Sequence, residues 1–110
     1  MSSGILGAIS ITSADTWTTI YTVPANTLAS CALTIVNKNK NNSAIIDIGV
    51  TASATPGNAE YLESGFTLPQ GGTFKLSQLV LGAGKKIMVR STLGTDGNVN
   101  AVAMGYEEQV

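Results

Sequence analysis

Short runs of β-branched and apolar residues, cut at intervals by Gly, Pro and Asn, recur along this chain, and no run carries apolar residues at helical spacing. That punctuation restricts the chain to strands. The clearest case is Thr18 to Asn37. Thr18-Thr19-Ile20-Tyr21-Thr22-Val23 has the composition that suits a pleated, half-buried surface. Pro24-Ala25-Asn26 breaks the run, because proline has no N–H for a ladder and Asn tolerates turn geometry. Cys31, Leu33 and Ile35 then alternate with Ala32, Thr34 and Val36, giving one face richer in large apolar groups. The stretch reads as strand, tight turn, strand, with the later strands laid against this pair.

Residues 1–11 read as a flexible N-terminal arm or a first strand, with Ile5, Leu6, Ile9 and Ile11 available to add to a sheet or to lie across a neighbouring subunit. After Thr18–Asn37, the polar stretch Lys38-Asn39-Lys40-Asn41-Asn42 reads as a hairpin loop. Ser43 to Thr51 follows as a strand with Ala44, Ile46, Ile48 and Val50 on one face, and Ile45, Asp47 and Gly49 on the other. A loop marked by Thr55-Pro56-Gly57 leads to Ala59 to Glu63, which reads as a short strand in preference to a single helical turn. Leu68 to Gly72 turns the chain into Thr73–Leu81, and Gly82-Ala83-Gly84 makes a glycine hairpin. In Lys86 to Ser91, Ile87 and Val89 face inward while Lys86, Met88 and Arg90 face outward. Thr95-Asp96-Gly97-Asn98 is a hairpin turn of the Asp-Gly kind. In the last strand, Val99, Ala101, Ala103 and Gly105 form a face small enough for a second sheet or a second subunit to approach closely. Seven to eight short strands predict one all-β domain, an antiparallel β-sandwich over residues 12–110, either immunoglobulin-like or jelly-roll.

A chain of 110 residues fits one such domain. Its charged fraction of 12% is about half the usual value, which suits a surface partly covered by neighbours. The net charge is −1 and the six basic residues form no long run, so no stripe is present to neutralise phosphates, and nucleic acid is not an expected partner. The start of the chain lacks the charged region and long apolar core of a secretory signal, and no stretch reaches the length of a membrane helix. The expectation is synthesis in a cytoplasm, with no membrane partner.

Histidine is absent, which removes His-dependent triads and imidazole metal sites. Cys31, the lone cysteine, reads as a buried small hydrophobe. Glu60 and Glu63 would diverge on a strand, and Tyr61 and Leu62 between them look structural. Gly82-Ala83-Gly84-Lys85-Lys86 resembles the end of a phosphate loop, but the earlier glycine is replaced by Leu79 and the required Ser or Thr by Lys86. Asp47, Asp96 and the acidic tail match no calcium loop. Asn41-Asn42-Ser43 is a sequon without a secretory context. Trp17 reads as a core or rim anchor, since a sugar platform recruits more aromatics than this chain has. No catalytic residue, cofactor or metal is expected.

TIYTVPANTLASCALTIVNKN, a polar loop with AIIDIGV, TLPQGG, LVLGAGKKIMVRS and the closing GYEE together resemble small β-sandwich virion structural proteins of tailed bacteriophages, of the marine and cyanobacterial phage type. The matching positions are Tyr21 to Ala25, Val36 to Lys38, Val80 to Ser91 and Gly105 to Glu108, and the likeness spans roughly residues 16–108. The shared residues are turn-and-strand patterns, so no functional residue carries over. The resemblance implies a non-enzymatic protein of the virion, made in the host cytoplasm. Its expected role is capsid decoration or cement, acting through contacts with major capsid or tail proteins. It also implies a homo-oligomer, a trimer by the habit of spike-like decorations. The alternatives are a tail, neck or baseplate accessory protein of the same fold, or a carbohydrate-binding receptor module. The expected contact surfaces are Ile5, Leu6, Ile9 and Ile11 with Val99, Ala101, Ala103 and Gly105.

Overall fold

The computed structural model describes residues 3–95 and 98–110, and among them are eight strands and no helix. The strands are β1 (Ser3–Ser10), β2 (Thr18–Thr22), β3 (Thr27–Asn37), β4 (Ala44–Thr51), β5 (Tyr61–Leu68), β6 (Thr73–Leu81), β7 (Lys86–Ser91) and β8 (Val99–Gln109). They form two four-stranded antiparallel sheets, β1-β8-β3-β6 and β2-β7-β4-β5. The N-terminal residues from Ser3 are therefore a strand, paired along β8.

The chain changes sheet at almost every connection. β2 and β3 do not pair with each other: β2 lies beside β7, and β3 between β8 and β6. The expected pair at Thr18–Asn37 is thus a corner. Asn26 takes the left-handed conformation (φ 57°) that turns the chain. Val23 is held by the next turn along, donating its N–H to Lys85 (2.9 Å) and accepting from Gly84 (3.0 Å). The same correction applies to the loop at 38–42, the glycine turn at 82–84 and the turn at 95–98: each joins strands of different sheets, so none is a hairpin. Asp96 and Gly97 lie outside the described residues. A hairpin and a corner need the same local chemistry, a break in the ladder and a residue tolerant of positive φ. What separates them is which strands are free to pair.

One buried cluster draws on both sheets. It includes Ala29, Cys31, Leu33, Ile35, Ala101 and Ala103 from the first, and Ile20, Ile46, Ile48, Ile87 and Val89 from the second. Strand alternation supplies these residues, and bulges interrupt it. Register shifts between β4 and β5 fall on either side of Ile48. Beyond them Thr51 is buried and Val50 only partly so, reversing the expected phase. The second correction is Met88. It stands on the outward side of β7 yet is buried, beside Gly49, against which the 52–60 loop packs Pro56. Glu60 closes that loop, its carboxylate accepting the Gly57 N–H at 2.8 Å, which holds its pKa below the usual range.

A further tie joins the sheets. Tyr21 on β2 donates its hydroxyl to Glu107 on β8 at 2.5 Å. Burial, then the Glu107 hydrogen bond and charge, push the Tyr21 pKa above its ordinary value of 10.0. A folded-state pKa raised in this way means the folded chain holds a proton that the unfolded chain releases near pH 10. The contribution is complete below that value and is lost as pH rises. Stability is expected to fall above about pH 10 with an extra slope of up to about 1.4 kcal/mol per pH unit, absent in Tyr21→Phe. Chemical denaturation of both proteins from pH 8 to 11 measures it, and parallel curves would show that Tyr21 does not titrate as described.

Candidate functional site

Two exposed sheet faces differ in character. On the outer side of β2-β7-β4-β5, the shift in the β4–β5 ladder sets Ser64 and Gly65 opposite Asp47, with Gly65 at φ +69°. Asp47 Oδ1 accepts the Gly65 N–H at 2.7 Å, replacing the ladder bond lost at the bulge. Its Oδ2 accepts both Nε (3.0 Å) and Nη2 (2.8 Å) of Arg90 on β7. Arg90 also reaches the Tyr61 hydroxyl (3.3 Å) and lies 4.7 Å from the centre of the Trp17 ring, which meets Tyr61 edge-on at 5.5 Å. Trp17 is thus a rim anchor. Bonding to Asp47 raises the Arg90 pKa, so the guanidinium stays charged. The pair is one-third exposed on the arginine side, so it is worth about 1 kcal/mol or less. A shallow depression of about 530 Å³ adjoins it, with Ile45, Asn58 and Ser64 on its walls. The aromatic rings and the carboxylate are all committed to one another, so the arrangement straps β4, β5 and β7 together.

Among the described residues, no ion pair or cation–aromatic contact of this kind lies on the outer side of β1-β8-β3-β6. Across it run the rows Ser3–Tyr106–Ser30–Val80, Ile5–Met104–Ala32 and Ala8–Val102–Thr34–Lys75. Ile5 is 65% exposed, Val80 62%, Tyr106 56% and Met104 48%, and all four lie in two adjacent rows. Among the described strand residues, Lys75 and Glu108 are the charged side chains on this face. An antiparallel sheet with a solvated face usually shows polar groups there. Here the outward residues of β8 run Asn100, Val102, Met104, Tyr106 and Glu108, with three large apolar side chains between the two polar ends.

The expected contact residues divide between surface and interior. Ile5 is on the exposed face, while Leu6 and Ile9 are partly buried against the core. Ile11, Val99, Ala101 and Ala103 are fully buried. The small residues of β8 therefore face the interior. Gly105 is small because β3 passes directly against it: a Cβ there would overlap the Ser30 carbonyl oxygen and lie 2.6 Å from Cys31 Cα. The exposed patch of Met104, Tyr106 and Val80 was not among the expected residues. Its signal lies in β8, where large apolar residues occupy the positions between the small ones.

Cys31 is buried and free, and burial pushes its thiol pKa up, away from a reactive thiolate. Glu60 sits in the loop before β5 and Glu63 within the strand. Among the described residues, no group of three or more His, Cys, Asp or Glu is placed to hold a metal ion, and no helix is long and apolar enough to cross a membrane. No family model, curated protein or solved structure matches this chain.

Proposed function

We propose that this chain is a non-enzymatic structural protein of a bacteriophage virion, a capsid decoration or cement protein that acts through protein–protein contacts. The observation that carries the proposal is the outer face of β1-β8-β3-β6, where four large apolar side chains, each about half exposed or more, share two rows and, among the described strand residues, Lys75 and Glu108 carry the charge. A contiguous apolar patch of this kind favours a protein partner. The strand orders support an eight-stranded jelly-roll sandwich over an immunoglobulin-like one, because a jelly roll carries the chain back and forth between two four-stranded sheets. The sequence likeness to virion proteins of tailed phages points the same way.

The test is copy number per particle, by quantitative mass spectrometry of purified virions against the major capsid protein. Hundreds of copies are expected for a capsid lattice. Far fewer would favour a tail, neck or baseplate position with the same fold. Absence from the particle would overturn the proposal. A carbohydrate-receptor role is less well supported, because Trp17 and Tyr61 are engaged with Arg90 and each other.

A further inference from the structure

We infer that the outer face of β1-β8-β3-β6 binds a second copy of the same face about a two-fold axis, with Lys75 of each copy set against Glu108 of the other. The inference rests on the contact role proposed above and names its first partner.

The argument is one of symmetry and charge. Lys75 on β6 is opposite Thr34 of β3, and Glu108 on β8 is opposite Leu28 of β3. The two charges stand two strands apart across the sheet, and six β3 residues apart along it, a separation of roughly 20 Å by strand geometry. Midway between them on β3 are Ser30 and Ala32, the smallest side chains of the patch. Tyr106 and Met104 flank them on β8, and Val80 flanks Ser30 on β6. A two-fold axis lying in the interface, crossing β3 between Ser30 and Ala32 at right angles to the line from Lys75 to Glu108, sets the patch against its own copy and exchanges the two corners. Each Lys75 then meets a Glu108, the small floor allows close approach, and the larger side chains stand beside it. Placing like corners together would instead oppose like charges.

This is what an isologous contact requires: one surface complementary to itself. A foreign partner needs no opposite charges balanced about the centre of the patch. The other sheet is a poorer candidate, because its outer face is partly covered by the 52–60 loop and occupied by the Arg90–Asp47 strap. The two-fold pair differs from the trimer that the resemblance implies.

Sedimentation velocity of the purified full chain over a range of concentrations tests the inference. The unaltered protein is expected to dimerise, and Met104→Asp to weaken the dimer at least tenfold. Lys75→Glu or Glu108→Lys alone is expected to weaken it about tenfold, since symmetry turns both ion pairs into like-charge pairs, and the two together to restore it. A monomer at all concentrations, a trimer, or a double swap no better than the single ones would overturn the inference. Thermal melts of each variant separate loss of pairing from loss of fold. Particle incorporation, measured in parallel, keeps the two ideas apart. A monomeric protein that enters particles unless Met104 is changed overturns the pairing and leaves the contact role standing. A dimer absent from particles overturns the virion role and leaves the pairing.

Discussion

Gly105→Ala is expected to destabilise the protein by about 3 kcal/mol or more, a large share of the roughly 5–15 kcal/mol that holds a domain of this size together. Gly105 lies on β8 between Cys31 of β3 and Gly4 of β1. The added methyl group would overlap the Ser30 carbonyl oxygen and approach Cys31 Cα to 2.6 Å and the Ser30 carbonyl carbon to 2.9 Å. These are backbone atoms of an interior strand, so no side chain can rotate away. Relief requires β3 and β8 to separate, and β3 pairs with β8 along its whole length, from Thr27 to Asn37. Thermal denaturation is expected to show a Tm lowered by roughly 12–24 °C. Gly82→Ala is the control, since a Cβ there meets nothing within 4 Å, and its Tm should hardly change. An unchanged Tm for Gly105→Ala would mean that β3 and β8 do not meet in the register described.

Asn37 is the second position of large effect, and its role is polar. It is fully buried at the end of β3. Its side-chain amide shares two hydrogens among the carbonyls of Asn42 (3.0 Å), Leu68 (3.2 Å) and Pro69 (3.3 Å). Its Oδ1 accepts the Asn39 N–H at 3.0 Å. One side chain thus holds both the loop into β4 and the turn between β5 and β6. Asn39 continues the arrangement, its Oδ1 accepting the N–H groups of Asn41 and Asn42, both at 2.8 Å. Removing the Asn37 amide leaves carbonyls without their donor in a buried place, so Asn37→Ala is expected to cost about 3 kcal/mol. Asn37→Asp keeps the shape but loses the donor and buries a negative charge at neutral pH. Burial would raise the introduced carboxyl's folded-state pKa above its unfolded value near 3.9. The variant should therefore be least stable at pH 7 and recover relative to the natural protein as pH falls toward 4. Urea denaturation at pH 4.5 and 7 measures the difference. An equal deficit at both values would show that the introduced group stays solvated.

Neither position stands out in the sequence for the reason that makes it important. Gly105 belongs to a visibly small face of the last strand, but smallness alone does not say whether a sheet, a subunit or the next strand comes close. Asn37 ends a strand just before an asparagine-rich stretch that reads as a polar loop, and nothing local marks its amide rather than the others as buried. The candidate contact surface was half legible in the same way. Both faces of β8 are apolar, one small and one large, and composition cannot tell which lies inside. Burial decides it: Val99, Ala101 and Ala103 face the core, and Met104 and Tyr106 face out.

Local sequence is enough to build this chain from short strands and to mark where it bends. Those properties depend on neighbours along the chain: alternation at a period of two, β-branched side chains, and Gly, Pro or Asn where a ladder must stop. Pairing depends on groups far apart in sequence and is set when the two sheets come together. Val23 is fixed by Gly84 and Lys85, Tyr21 by Glu107, and Cys31 by its place between Gly105 and Leu79. A turn residue permits a change of direction without specifying whether the next strand stays in its sheet or crosses to the other. The free energy of burying both sets of inward side chains in one core makes that choice, and it cannot be read from any single stretch.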